Sequence, residues 1–345
     1  MKPLSRVLPA AVLAVAVAVP TQATAAARIV PAADHEVTFA VDGTTTHGTL
    51  HLPAHRPGHR LPAALLLPGS GPTDRDGNQP PALTPNTLAG LAAALGSDGV
   101  ATLRFDKYGT GRTGLGAYTG RPEDLDHPAF VRQADAAYRL LSSRPQIDSH
   151  AVRLIGHSEG AMTALVVATT ARPRPAGIAM LQPQAMRLLD VIARQLHDQL
   201  TGAAAAGQLT EEQKQAAILA VDRAVADFRA HRPVDTATLL PPIAALFQAL
   251  EGVNRRFVAS DDSVDPARVA RRLPAGMPVL LTCGTADPQV PCDTTDALTT
   301  ALRRAHTRGP GRVVLPGVGH SLDTSAAPGV LAPSVLAALR DLLRP

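Results

Sequence analysis

The chain has 345 residues, of which 45% are hydrophobic and 18% are charged. That length suits one large α/β domain or a domain with an insertion, and the composition excludes global disorder. The net charge is only +4, and the cations are scattered arginines apart from three lysines, so a nucleic-acid-binding protein is not indicated.

Residues 1–27 have the pattern of a secretory signal peptide. Lys2 and Arg6 precede an apolar stretch over 7–19, and an A-x-A-type cleavage site follows within 21–27. We expect a secreted, extracellular protein, cleaved near residues 25–27, whose mature chain starts near Arg28. The apolar stretch is short for a bilayer span and no cysteine lies at the cleavage site, so no stable membrane anchor is expected after cleavage. An uncleaved anchor is the alternative.

Cys283 and Cys292 are the two cysteines of the chain and lie in one short segment. In an oxidising compartment such a pair can form a disulfide, which agrees with export. The alternative is two unpaired, buried thiols.

Apolar runs alternate with helical patterns along most of the chain, which predicts a mainly parallel sheet with helices on both faces. A helical pattern without strands occupies 183–273, and we interpret it as a helical cap insertion between two parts of one core, 28–182 and 274–345. The predicted strands are a hairpin over 35–53 and the runs 63–67, 100–105, 152–155, 178–181, 279–282 and 313–315. The predicted core helices are 87–95, 129–141, 159–170 and 330–343.

A candidate nucleophile lies at the end of the strand predicted over 152–155. Gly156-His157-Ser158-Glu159-Gly160 follows an apolar run and precedes a helical pattern, which is the context of the G-x-S-x-G nucleophile elbow. The glycines fit this role because a serine held in a strained turn leaves no room for side chains two positions away. Ser158 is therefore the predicted nucleophile.

A serine nucleophile needs a base, and the base needs an acid that orients it. His320 lies in a glycine-rich loop directly after the last predicted strand, and Asp287 follows the strand before it. Both come after Ser158 in the order serine, acid, histidine. The other possible acid position holds Gln182 and Pro183, which cannot serve. We therefore predict Asp287 as the acid and His320 as the base, with His157 packing beside them.

The oxyanion of an acyl-transfer reaction needs two backbone N–H donors. We expect one from Glu159, at the N-terminus of a helix, and the other from Ser70 in the glycine-rich loop 69–71, with Gly71 as the next candidate. The charged residues 74–76 are interpreted as an ion-pair network that holds this loop.

Together these residues resemble the α/β-hydrolase superfamily over nearly all of the mature chain. Residues 69–76, Gly-Ser-Gly-Pro-Thr-Asp-Arg-Asp, resemble the G-S-G-P-x-D-R-D signature of bacterial carboxylesterases related to the serine aminopeptidase-like hydrolases. Residues 106–111 are similar to the family's D-x-R-G-x-G turn, with Tyr108 where arginine is usual, and Pro68 replaces the histidine of an H-G dipeptide.

The resemblance implies an eight-stranded α/β-hydrolase fold and a serine esterase that acts on small-molecule esters with short acyl chains, without metal or cofactor. The oligomeric state stays open. The cap is expected to supply an acyl pocket from residues such as Leu188, Ile192 and Phe228. A peptidase or aminopeptidase, or a thioesterase or acyltransferase, would use the same triad, and a non-catalytic exported binding protein is the remaining alternative.

Overall fold

The computed structural model describes residues 29–343. The predicted signal peptide, residues 1–27, lies outside this range. Among the described residues, no helix combines the length and the apolar character that crossing a membrane requires.

One eight-stranded sheet forms the centre of the fold, as the sequence predicts. Its order is β1-β2-β4-β3-β5-β6-β7-β8. The pairs β1–β2 and β2–β4 are antiparallel, and every pair from β4 to β8 is parallel. The strands are β1 Ala33–Val41, β2 Thr44–Leu52, β3 Leu61–Leu67, β4 Ala101–Phe105, β5 Ile147–His157, β6 Gly177–Leu181, β7 Pro278–Gly284 and β8 Arg308–Leu315.

Helices cover both faces of this sheet. Helices α1 (Thr87–Ser97) and α10 (Pro333–Leu343) pack on one face. The other face is covered by α2 (His127–Ser142), α3 (Glu159–Thr170) and α9 (Asp296–Arg304). This arrangement confirms the α/β-hydrolase class of fold expected from the sequence.

The short central strand β3 shows why the sequences of the parallel strands are continuously apolar. Successive side chains point to opposite faces, so Leu65 and Leu67 enter one core while Ala64 and Leu66 enter the other. All four are almost completely buried. A strand with helices on both sides therefore has no polar face.

Between β6 and β7 the chain is helical. The helices are α4 Leu188–Ala205, α5 Glu211–Arg229, α6 Pro241–Glu251, α7 Arg255–Asp262 and α8 Pro266–Ala270. Helices α4 to α7 bury their apolar stripes against one another in a separate hydrophobic cluster. The sequence predicts helices over 183–273 but not where each one begins and ends. The proposed domain boundaries at 183 and 273 stay a prediction.

The carboxylate of Asp262, at the end of α7, joins several of these helices. It accepts hydrogen bonds from Arg229 (2.8 Å), Arg187 (2.8 Å) and the backbone N–H of Leu189 (2.9 Å). A negative charge at a helix C-terminus is unfavourable by itself, and here two guanidinium groups offset it. Burial disfavours the charged form of Asp262, but these partners hold its pKa below the ordinary value.

Two helical glycines allow a test of how tightly the sheet and α3 pack. A Cβ at Gly160, on α3, would collide with the carbonyl oxygens of Leu67 and Pro68, whereas a Cβ at Gly90, on α1, would meet open space. We predict that Gly160→Ala lowers the free energy of unfolding by about 1–3 kcal/mol because backbone must shift. Gly90→Ala is the matched control and should raise it by about 1 kcal/mol because alanine favours a helix. Urea unfolding followed by circular dichroism measures both, and equal stabilities for the two variants would contradict the close approach.

Candidate active site

Ser158 lies in a sharp turn between β5 and α3. Its backbone has φ 56° and ψ −122°, a conformation that non-glycine residues rarely adopt. A Cβ at Gly156 would collide with the backbone of Gly160, so both glycines of the motif are required by close packing around the turn. The turn is held by hydrogen bonds from Ser158 N–H to Leu181 O and from Gln184 N–H to Ser158 O, both 3.0 Å.

The structure brings Ser158, His320 and Asp287 into one line of hydrogen bonds. His320 Nε2 lies 3.2 Å from Ser158 Oγ, and His320 Nδ1 lies 2.8 Å from Asp287 Oδ2. An ionised carboxylate can only accept, so Nδ1 carries the proton and Nε2 is free to accept from the serine hydroxyl. The three side chains therefore have the geometry of a nucleophile, a base and an acid, while their catalytic roles stay a prediction.

Asp287 is kept ionised although its side chain is fully buried. Burial favours the protonated form, but the hydrogen bond from His320, and the positive charge of that ring when it is protonated, favour the carboxylate. The N–H groups of Val290 (3.1 Å) and Gln289 (2.8 Å) add two hydrogen bonds to Oδ1. The balance holds the pKa of Asp287 below its ordinary value.

His157 has a supporting position rather than contact with Ser158 Oγ. Its Nε2–H donates to the backbone carbonyl of His320 at 2.7 Å, and the two rings are 4.9 Å apart. Burial, with the nearby charge on His320, lowers the pKa of His157 to about 3. His157 is thus neutral at ordinary pH and holds the backbone of the His320 loop, a role that the sequence analysis described only as packing.

Two more residues bring the His320 loop to the sheet. A Cβ at Gly284, the last residue of β7, would collide with the carbonyl of Val318. Gln182, at the position where another acid could have stood, is buried and accepts from Thr282 Oγ1 at 2.7 Å. Its amide donates to Gly319 O at 3.4 Å, so this residue also contacts the backbone next to His320.

Cys283 and Cys292 form a disulfide, as the sequence predicts. Cys283 is in β7, and Cys292 begins the 3-10 turn Cys292–Thr295. Asp287 lies between them in the closed loop. The bond therefore covalently restrains the loop that carries Asp287.

The two predicted oxyanion donors lie beside Ser158. Glu159 is the first residue of α3, so its backbone N–H has no partner within the helix. A Cβ at Gly69 would lie 3.2 Å from Ser158 Cβ, which shows how closely the Gly69–Ser70 backbone approaches the nucleophile. The carbonyl of Ser70 is turned toward its own loop, where it accepts from Thr73 Oγ1 (2.6 Å) and Gln79 Nε2 (2.9 Å).

Ion pairs hold this loop on the sheet, as the sequence predicts for residues 74–76. Arg75 donates to Asp106 and to Glu36, both at 2.7 Å. Asp106 also accepts from the backbone N–H groups of Arg75 and Arg112. Burial favours the neutral acid, but these donors hold the pKa of Asp106 below its ordinary value. The charges near the signature are thus structural.

A cavity of about 610 Å³ opens between Ser158 and the helices that follow β6. Its walls are mainly apolar and come from α2, α4, α6 and α7. Leu188 and Ile192 line it as the sequence predicts, but Phe228 does not. Phe228 packs inside the cluster formed by α4 to α7, because the apolar stripe of α5 faces its neighbouring helices. The other apolar wall residues include Phe130, Val191, Leu246, Leu250, Phe257 and Val258.

The floor of this cavity holds charged groups that the sequence analysis did not identify. The Lys107 ammonium lies 3.9 Å from the Glu159 carboxylate, and both are buried. Asp261 lies behind them and accepts from Gln184 Nε2 at 2.9 Å. Burial and the charge of Glu159 raise the pKa of Asp261 well above its ordinary value. The one sequence signal was the rarity of lysine, which occurs three times in the chain.

The described part of the chain offers no group of three or more His, Cys, Asp or Glu side chains that could hold a metal ion.

The sheet, the elbow and the hydrogen-bonded Ser158, His320 and Asp287 side chains define an α/β hydrolase. Comparison with protein families agrees. The family described as serine aminopeptidase, S33, matches residues 85–323, and the chain belongs to this family. No curated protein sequence matches the chain.

Several solved structures share the fold at low sequence identity. The α/β hydrolase GrgF from Penicillium sp. sh18 is 19% identical, with 91% of this chain and 98% of that chain covered and a TM-score of 0.56. Est1E from Butyrivibrio proteoclasticus is 15% identical, with 89% and 97% covered and a TM-score of 0.52. A Thermogutta terrifontis esterase, solved with propionate bound, is 15% identical, with 89% and 92% covered and a TM-score of 0.54.

The disulfide generates a stability prediction. On the chain-entropy estimate, a closed loop of this size contributes about 2.5–3 kcal/mol. We predict that dithiothreitol lowers the melting temperature and, by loosening the Asp287 loop, also lowers the rate of ester turnover. Differential scanning fluorimetry and a thiol titration on the same sample measure this effect. The control is the double variant Cys283→Ser/Cys292→Ser, which should melt at the lower temperature with or without reductant. An unchanged melting temperature after both thiols have appeared would contradict the prediction.

Proposed function

We propose that this chain is a secreted serine hydrolase that cleaves carboxylic esters through an acyl-enzyme intermediate. The observation that carries the proposal is the continuous hydrogen-bonded line from Asp287 through His320 to Ser158, with Ser158 held in a strained turn at the mouth of an apolar cavity. The family membership supports hydrolysis, and the predicted signal peptide together with the disulfide supports export.

In this mechanism Ser158 Oγ attacks the ester carbonyl while His320 Nε2 takes the hydroxyl proton. Asp287 keeps the proton of His320 on Nδ1 and stabilises the imidazolium that forms. The tetrahedral intermediate collapses as His320 gives its proton to the departing alcohol. Water then enters, gives a proton to His320 and hydrolyses the acyl-enzyme, which restores Ser158.

The oxyanion of each tetrahedral intermediate would be held by the backbone N–H groups of Glu159 and Ser70. Glu159 suits this role because a helix N-terminus presents unpaired donors and a partial positive charge. The close approach of Gly69 to Ser158 supports the second donor, since a carbonyl attacked by Ser158 would lie beside the next peptide unit.

The charge in the cavity favours a neutral ester over an aminoacyl peptide. An aminopeptidase must bind the ammonium group at the substrate's N-terminus, which calls for an available carboxylate. Among the described residues that line the cavity, Glu159 is the one carboxylate, and it lies 3.9 Å from the ammonium of Lys107. The walls around it are apolar, which suits an uncharged substrate.

The size of the cavity bears on the acyl group. At about 610 Å³ it lies within the range of about 300–1,000 Å³ that is typical of sites for drug-sized ligands. We propose that the short acyl chain implied by the resemblance occupies the part next to Ser158. The remaining space, along Leu188 and Ile192 on α4, would accept a bulkier group on the same ester.

The nucleophile is tested by substitution. We predict that Ser158→Ala lowers kcat for p-nitrophenyl butanoate by about 10⁴-fold or more while melting temperature and circular dichroism stay unchanged. Labelling of the wild type by a fluorophosphonate probe, followed by peptide mass spectrometry, should locate the adduct on Ser158. The matched control is Ser97→Ala, at the exposed end of α1, which should keep both activity and labelling. Substantial turnover by Ser158→Ala would sink the assignment.

The substrate class is tested with a panel. We expect kcat/KM to be highest for neutral p-nitrophenyl esters and lower by at least about tenfold for aminoacyl p-nitroanilides, because the cavity offers no available carboxylate for an ammonium group. Thioesters of the same acyl groups and an acceptor alcohol test the thioesterase and acyltransferase alternatives. A preference for aminoacyl anilides would overturn the ester proposal and favour an aminopeptidase.

A further inference from the structure

Lys107 is a buried cation that the proposed hydrolytic steps do not use. It lies two residues after the end of β4, is only 6% exposed, and lines the floor of the cavity. Its Nζ lies 2.5 Å from the carbonyl oxygen of Gly69 and 3.9 Å from Glu159 Oε1. Burial lowers the pKa of Lys107, against the charge of Glu159, which raises it. Burial of a charged group costs free energy, so a buried lysine at this position needs a structural or functional explanation.

The hydrogen bond from Lys107 fixes the orientation of one peptide unit. In a planar, trans peptide the carbonyl oxygen and the following N–H point in opposite directions. The Gly69–Ser70 peptide is trans. Because Lys107 binds Gly69 O, the N–H of Ser70 points away from the Lys107 ammonium. This N–H is the one proposed to bind the oxyanion, since Gly69 packs against Ser158.

The same ammonium also lies beside the second proposed donor. Glu159 contributes its backbone N–H at the start of α3, and its own carboxylate faces Lys107. One compact cation thus contacts the side chain of one donor residue and the peptide unit of the other. A hydrogen bond to Gly69 O also polarises the peptide, which makes the N–H of Ser70 a stronger donor.

We propose that Lys107 is a positioning residue for the oxyanion hole, acting through the Gly69–Ser70 peptide and Glu159. This inference rests on the proposed function, because it concerns the same reaction. It accounts for a lysine at this position in a chain that has only three, since a compact ammonium fits between a carbonyl and a carboxylate.

The test compares transition-state binding with ground-state binding in Lys107→Met. A trifluoromethyl ketone reacts by addition of Ser158 Oγ to its carbonyl carbon, with transfer of the hydroxyl proton to His320, and leaves an oxyanion. An ether of the same size and shape fills the same cavity, but it has no carbonyl group and so cannot form this adduct. We expect kcat for p-nitrophenyl butanoate to fall about 10²-fold with KM nearly unchanged. The ketone should bind more weakly by a similar factor, while the ether binds as in the wild type.

Two variants separate positioning from a purely structural role. Lys107→Arg keeps a cationic donor and should recover part of the lost kcat. Arg229→Met removes a structural cation that bonds Asp262 and Asp190 away from the nucleophile. Arg229→Met should lower the melting temperature while leaving the ratio of the inhibition constants for the ketone and the ether unchanged. If Lys107→Met does not fold, Lys107→Gln takes its place under the same criteria.

Two results would overturn the role of Lys107. One is a kcat within about threefold of the wild type in the folded Lys107→Met or Lys107→Gln variant. The other is an equal loss of affinity for the ketone and the ether. The proposed function is judged separately, by ester turnover in the wild type and its loss in Ser158→Ala, so either idea can fail without the other.

Discussion

The strained turn at Ser158 is the constraint on which the rest of the site depends. Its backbone conformation brings α3 so close to β5 and to the end of β3 that neither Gly156 nor Gly160 can carry a side chain. The turn raises the hydroxyl above the edge of the sheet and, at the same step, begins a helix whose first N–H is unpaired. The predicted nucleophile and the proposed oxyanion donor thus both result from this one turn.

The parallel sheet then decides which other residues can reach this turn. Loops after β3, β7 and β8 all leave from the same edge as the loop after β5, because the carboxyl ends of parallel strands meet there. Ser70, Asp287 and His320 each lie in one of these loops. The sheet alone therefore brings these loops together. Two further contacts hold them in place: the hydrogen bond from His157 to the carbonyl of His320, and the disulfide that closes the Asp287 loop.

This dependence on local pattern explains how much could be predicted from the sequence. The strands, the core helices other than α9, and the grouping of Ser158, Asp287 and His320 follow from apolar runs and from the residues directly after them. The surroundings of Lys107 could not be predicted, since its partner Gly69 is 38 residues away and Asp261, which interacts with it electrostatically, lies in a later helix. Phe228 was wrongly expected in the cavity because helical periodicity shows which stripe is apolar but not which neighbour that stripe faces.

Asp262 has a consequence for how such an enzyme can change over evolution. It ties α4 and α5 to the end of α7 through Arg187, Arg229 and Leu189, outside the cavity wall. The polar contacts that join these helices are therefore made by residues other than those that line the cavity. Replacement of wall residues such as Leu246 or Leu250 can alter selectivity while this joint stays intact, so new substrates become accessible by mutation without rebuilding the hydrolytic machinery.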